Sequence, residues 1–345
     1  MTYAEVLYPG NPADEKAFNT YSLGTSSNSG TTYIGNDRWT NIFTTGFTDR
    51  YANEENITML PFDKKFDPVN PFIDLYYNKY VIKPSALAIN KWNAQNRSDN
   101  TPFDTWRGVN RSYFVEGNQP YINKQISNYS KNLPFETTDK WIIYRAALLH
   151  LHMAEAANRD GRDRLAYALL NNGIRSAYTP VPSPSNVINV MQSNVYMNSA
   201  NEWVADPNKD YYFDARFGTA PNYRAYWHTN AGVRGRMSLA PVKVDSAQYF
   251  NMTVPGKQYK EVNDRPGLIL AMEDLILEEV ALEGAFEGYR WQDLLRIALR
   301  RKDIQPSFLA DKIAAKFEAK GDAAGAAAVR AKLATEAGWY LPFKM

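Results

Sequence analysis

The sequence predicts a mainly α-helical protein built from helix pairs of tetratricopeptide-like length, with long irregular, loop-rich inserts. Three observations carry this. Two segments show helix-turn-helix periodicity, and each spans about 35 to 38 residues, close to the 34 of a tetratricopeptide unit. The last 82 residues hold no Asn and only two of the 23 Tyr, and are rich in Ala, Leu, Glu, Lys and Arg, the strong helix formers. The stretches between the helical segments are turn-rich and aromatic.

Residues 1–137 read as a loop-rich face. Short apolar runs such as NITMLPF and LYYNKYVI suit a strand or a short helix equally. Residues 138–176 form the first helix pair. Thr138 or Asp139 is placed to cap one helix, Asp160 and Gly161 make the turn, and Gly173 interrupts the second helix near its end. At 100° per residue Ile142, Ala146, Leu149, Met153 and Ala156 share a face, while Ala147 and Ala154 let a neighbour approach on another. Residues 177–262 are an irregular insert containing PVPSPSN, the tract DYYFDARFGTAPNYRAYW and a Gly- and Arg-rich stretch. Insertions of this kind gather on one face of a helical array, often the binding face. Residues 263–345 hold the remaining pairs. Arg265 to Arg300 has Pro266 in its first turn, an apolar run from Leu268 to Leu282 and a break at Gly284, and a third, Ala-rich pair runs from Ser307 to Lys320 and from Asp322 to Ala337. The four regions are expected to form one compact domain.

Composition narrows the function classes. The chain has 345 residues, 39 Lys and Arg against 37 Asp and Glu, and no Cys. A chain this long buries roughly three quarters of its unfolded surface and needs no staples. Without Cys there is no disulfide scaffold, thiol catalysis or Cys-ligated zinc. A net charge of +2 is not that of a nucleic-acid binder, so no nucleic-acid partner is expected. The opening MTYAEVLYPGNPADEKAF has neither the basic flank nor the apolar stretch of a signal peptide.

His150, His152 and Glu155 invite a metal reading, but residues two apart on a helix point about 200° apart, so the two imidazoles do not chelate one ion. Arg145, His152 and Glu155 share a face and suit a buried polar network. Asp206, Asn208, Asp210 and Asp214 alternate hard oxygen ligands as a calcium loop does, yet Gly is missing at the sixth position and Phe217 stands where the bidentate Glu belongs. No metal and no cofactor are expected. Glu279 and Glu283, four apart on one helical face, have the spacing from which a glycosidase pair can be built. Arg290, Asp293 and Arg296 on the following helix supply a salt-bridge network that explains the same carboxylates without catalysis. No Walker loop, dinucleotide fingerprint or G-x-S-x-G occurs.

What remains is aromatic and amide content. Trp39, Trp92, Trp106, Tyr113, Trp203, Tyr211, Tyr226 and Trp227 lie among Asn, Asp, Thr, Arg and Gly, in segments expected at the surface. Aromatic faces stack on the C–H faces of sugars, and amides and carboxylates bond the hydroxyls, so these eight residues form the expected ligand face. Trp141 and Trp291 sit in periodic helical motifs and are expected to pack between helices.

Four stretches in order, ENITMLPFDKKFDPVNP, WIIYRAALLHLHMAEAANRDG, EEVALEGAFEGYRWQDLLR and GWYLPF, together resemble the SusD and RagB family of surface nutrient-binding lipoproteins from Bacteroidetes outer membranes. The third is similar to the family's Glu-Gly-x-Arg-Trp-x-Asp-Leu-x-Arg signature, carried by Glu287, Gly288, Arg290, Trp291, Asp293, Leu294 and Arg296. The resemblance implies a tetratricopeptide-like α-α superhelix with a loop-rich ligand face. It further implies non-catalytic binding of oligosaccharides, or of peptides in some members, for uptake through a SusC-like TonB-dependent transporter. The alternative outside the family is a helical glycoside hydrolase. Family members are usually longer, with a signal peptide, a lipid-bearing Cys and further N-terminal helix pairs. The chain is therefore expected to be the C-terminal part of a member lipid-anchored at the extracellular face of the outer membrane.

Overall fold

The computed structural model of the chain describes residues 36–44, 55–62, 69–129, 139–161, 163–173, 231–244, 249 and 265–340. It also gives the backbone of four short strands, β5 (Val195–Met197), β6 (Trp203–Ala205), β7 (Arg216–Phe217) and β8 (Ala220–Pro221), which pair as two small antiparallel ribbons.

The fold is helix-rich, with ten helices and four two-stranded sheets among the described residues. Its axis is α7 (Arg265–Glu283). Ile269, Met272, Ile276 and Val280 of α7 enter one core with α4 (Ala146–Arg159) and α5 (Asp163–Leu170). Leu277 joins a second core with α8 (Arg290–Arg301) and α9 (Phe308–Glu318), closed by Leu333 and Trp339 beyond α10 (Ala323–Lys332). Leu282 meets Trp92 of α3 (Ala86–Asn93) and Tyr113. Burial on more than one side is what a helix without a polar face requires. Small residues set the close approaches: Ala147, Ala154 and Ala157 of α4 are buried in the first core. A Cβ on Gly284, just past α7, would lie 2.9 Å from Leu148 Cδ2.

The break positions are as expected, with Asp160 capping α4 and Gly161 turning at φ 75°. The start of the first pair differs. Residues 140–145 are a strand, β4 (Lys140–Arg145), antiparallel to β1 (Asn56–Pro61), and α4 begins only at Ala146, with Arg145 rather than Thr138 or Asp139 at its N-cap. Trp, Ile, Ile and Tyr in succession favour a pleated conformation, and burial alternates along the segment, with Lys140, Ile142 and Arg145 inside. Trp141 therefore points outward at 40% exposure on a strand instead of packing between helices. Trp291 is half-buried against the second core.

Three elements complete the frame. α1 (Asn36–Thr44) lays Trp39, Ile42 and Phe43 against Ile142, Met237 and Leu239. α2 (Pro71–Ile73), capped by Asn70, runs on as a π-helical segment, Asp74–Asn78. α6 (Val233–Arg236) follows Gly232, whose φ of 71° brings it so near α5 that a Cβ would sit 2.7 Å from the Asn171 backbone. β2 (Tyr113–Glu116) and β3 (Gln119–Ile122) form a hairpin with Gly117 at φ 61°, as its two-residue turn requires.

Candidate functional site

Ten ionisable side chains meet beneath the hairpin. The acids are Glu55, Asp104, Glu279, Glu283 and Glu287, and the bases are Arg107, Lys124, Arg145, Arg234 and Arg236, all buried. Among the described residues, five against five leaves no formal net charge. Arg107 donates to Asp104 at 2.7 Å, Glu279 at 2.6 Å and Glu283 at 2.8 Å. Arg145 donates to Glu55 at 2.5 Å, Glu283 at 2.7 Å and Glu287 at 2.9 Å, which explains why it offers α4 no side-chain cap. Arg236 reaches Glu55 at 2.6 Å and also pairs with Glu283, and Arg234 reaches Glu279 at 2.6 Å.

Glu279 and Glu283 are thus bonded by four guanidinium groups. For both, burial works to raise the carboxyl pKa and is outweighed by the arginines, so each is held below its ordinary value. A glycosidase acid needs the opposite shift. This geometry counts against the pair as catalytic carboxylates. The expected partners of the two glutamates are also corrected. Arg290 donates to the Leu277 carbonyl at 2.9 Å, Asp293 accepts from Arg296 at 2.7 Å and contacts His152 at 3.0 Å, and Arg296 also pairs with Glu155. The cause is reach: α8 packs beside α4 and the middle of α7, whereas Glu279 and Glu283 turn towards Arg107 and α6. Arg145, His152 and Glu155 accordingly split between two networks. Among the described residues no group of His, Asp and Glu is arranged to hold a metal.

The charged core fixes the hairpin in place. Lys124, just beyond β3, donates to the Glu283 and Ala285 carbonyls and to Glu287, and Gln125 donates to the Phe286 carbonyl. Tyr113, at the start of β2, stacks on Trp92 with centroids 5.6 Å apart. On the other face of the hairpin stands a shelf of half-buried rings. Phe114 and Tyr121 stack across the strands at 5.3 Å, Tyr77 of the π-helical segment lies 5.1 Å from Tyr121, and Tyr80 and Tyr129 extend the group at 4.7 and 5.7 Å. The Tyr77 hydroxyl donates to Glu116 at 2.7 Å and the Tyr80 hydroxyl to the Pro120 carbonyl at 2.8 Å, which holds the rings at fixed angles.

Beside the shelf opens a cleft of about 520 Å³ lined by Tyr77, Phe114, Val115, Tyr129 and the polar Glu116, Asn123 and Ser127. Among the described residues the buried Ser127 hydroxyl has no hydrogen-bond partner, so it has bonding capacity to spare. Rings, a carboxylate, an amide and a hydroxyl converge here.

Three of the eight residues expected on the ligand face are buried. Trp39 and Trp92 are each 1% exposed and Tyr113 is 4% exposed, so all three are core residues. Polar neighbours in sequence misplace them, because α1 and α3 each turn apolar residues inward, while Asn90 and Asn93 of α3 face out. Trp106 is half-buried against the α1 core with the Arg97 guanidinium 5.6 Å from its ring. Trp203 lies in β6, for which only the backbone is described. Tyr211, Tyr226, Trp227 and the calcium-loop residues Asp206, Asn208, Asp210 and Asp214 lie outside the described residues. The shelf residues were signalled by Gly117-Asn118, a hairpin dipeptide flanked by FVE and QPYI, and by the three Tyr of LYYNKY.

Comparison with known proteins finds no relative: no family model, no curated protein and no solved structure matches the chain.

Proposed function

We propose that the protein captures glycans without turning them over, on the aromatic shelf of the β2–β3 hairpin, as the binding component of an outer-membrane uptake system. The observation that carries this reading is the shelf and its cleft: Tyr77, Phe114 and Tyr129 line the cleft beside Glu116, Asn123 and Ser127, and Tyr121 stacks on Phe114. A pyranose offers C–H faces to the rings and hydroxyls to the polar groups. Rigid aromatics held by hydrogen bonds lose little entropy on binding. The ordered sequence stretches add the rest of the proposal, namely a SusC-like TonB-dependent transporter as partner and a lipid anchor at the extracellular face in the full-length protein. The helix pairs α4 with α5, α7 with α8 and α9 with α10 support a tetratricopeptide-like reading, with the 177–262 insert, which contains α6, separating the first pair from the second. The signature residues serve as scaffold, with Glu287 bonded to Lys124 and Arg145, Gly288 at φ 94° and Leu294 fully buried.

The test is a glycan and peptide array followed by calorimetry, with Tyr77→Ala and Tyr121→Ala as variants. Oligosaccharide binding without release of reducing sugar is expected. Each truncation should weaken it by about 2 kcal/mol, the cost of losing an anchoring aromatic, while the melting temperature moves little. Binding to peptides alone would replace glycan by peptide as the ligand. Undiminished binding in both variants would overturn the shelf as the site.

A further inference from the structure

A second cavity, of about 220 Å³, lies between α3, the α7–α8 turn and α9. Five cations line it: Lys83 and Lys91 flanking and on α3, Arg290 at the start of α8, and Lys312 and Lys316 on α9. Among the described residues no carboxylate lines it, and its floor is apolar, with Phe286 the largest side chain. Two carboxylates of α7 stand behind the wall. Glu278 pairs with Lys91, lies 3.0 Å from Lys312 and 3.8 Å from Arg290, and Asp274 lies 3.9 Å from Lys312 while also bonding Arg301. Among the described residues Lys83 and Lys316 pair with no carboxylate. Five cations against two acids leave an excess of three.

A solvated charged surface spreads its like charges apart, because each additional one is repelled by its neighbours. Here they are gathered around one concavity. Burial drives Lys91 down to about 8, with Arg290 and Lys312 adding repulsion despite the contact with Glu278. Lys312 and Lys316 are lowered by burial first, and Arg290 adds to both. An anion in the cavity relieves that repulsion.

We propose that this cavity is an oxyanion site, which takes a sulfate, phosphate or carboxylate group between Lys83, Lys316 and Arg290. The shelf lies next to it, since Lys83 Nζ stands 4.2 Å over the Tyr80 ring and Tyr80 packs on Tyr121. The oxyanion therefore comes from one of two sources, a free inorganic ion or an acidic substituent on a glycan lying across the shelf. Only the second source rests on the glycan reading.

Calorimetry at constant ionic strength, with inorganic sulfate and phosphate in one arm and a sulfated oligosaccharide and its unsulfated parent in the other, separates them. Lys83→Gln and Lys316→Gln are the variants, since neither removes an ion pair. Sulfate or phosphate binding that each variant weakens about tenfold, the scale of one charge-assisted hydrogen bond, is expected. A sulfated oligosaccharide bound more tightly than its parent, with the preference lost in the same variants, identifies the glycan substituent as the source. Anion binding without that preference identifies the free ion, and leaves the site standing even if no glycan binds. Absence of binding in both arms, or binding indifferent to both variants, would overturn the site.

Discussion

Arg145 donates to three carboxylates that have no access to water, and its side chain is itself fully buried. Removing it leaves Glu55, Glu283 and Glu287 short of counter-charge in a medium that penalises lone ions heavily. Breaking such a buried network costs about 3 to 5 kcal/mol, so Arg145→Met should lower the urea midpoint by that amount over the m-value. Arg290→Ala should cost far less. Its side chain is 26% exposed and bonds one backbone carbonyl, and among the described residues its carboxylate contact, to Glu278, is 3.8 Å long. Equal losses from the two variants in urea unfolding would show that the network of Arg145 is not the stabilising one. Sequence periodicity finds Arg290, Asp293 and Arg296 as structural residues. It does not find their partners, because the face a charge presents depends on the crossing of α8 over α7, which no local pattern encodes.

At the scale of elements, the segment from Gly232 to Val244 shows how a tight turn delivers charge to the core. Gly232 adopts φ 71°, the Gly235 amide donates to the Asn171 carbonyl at 2.6 Å, and Arg234 and Arg236 then reach Glu279, Glu55 and Glu283. Gly232→Ala places a Cβ 2.7 Å from the Asn171 backbone, where nothing flexible can yield. A backbone at φ 71° and ψ 162° is one that essentially only Gly adopts and costs a side chain about 1 to 3 kcal/mol, and the clash adds to it. The variant should lose at least that much in thermal unfolding and lose hydrogen-exchange protection around α6 first. Unchanged protection there would mean that the turn does not hold the two arginines in place. Helix breaks at Gly161, Gly284 and Gly321 are legible in sequence because each sits between strong helix formers. The β1–β4 ribbon is not, because its two strands are about 80 residues apart, and pairing at that distance leaves no mark on local spacing. The hairpin of the shelf falls between these cases, with a turn that is local and readable and aromatic partners from the π-helical segment that are not.

For the whole molecule the buried charges set the response to acid. Glu55, Glu279 and Glu283 all titrate below the ordinary carboxylate value of 4.5 in the folded state. For Glu55, burial works to raise the value and Arg236 and Arg145 outweigh it. A folded value below the unfolded one means stability that is present above pH 4.5 and is lost as pH falls through and below it. Asp104, raised by burial, and Asp139, which burial pushes up to about 8, work in the opposite sense. The urea midpoint should therefore rise from pH 7 to 5, where folded Asp139 holds a proton that the unfolded chain releases, and fall below about 4.5 as the arginine-bound carboxylates are protonated. A midpoint unchanged between pH 5 and pH 3 would mean that these carboxylates are not ionised in pairs.

The same charged core also decides the order in which the chain can assemble. Its bonds join residues very far apart along the polypeptide, with Arg107 and Glu283 separated by 176 positions and Arg236 and Glu55 by 181. A contact of that span is entropically late, since most of the intervening chain must be arranged before it closes. Until it closes, every segment but 104–107, where Asp104 and Arg107 pair locally, carries an uncompensated ion that resists entering a dry environment. Partial collapse of any one helix pair around its charges is therefore disfavoured. The five positive and five negative groups act as a coincidence detector, and the dehydrated interior forms only when segments 55, 104–107, 124, 145, 234–236 and 279–287 arrive together.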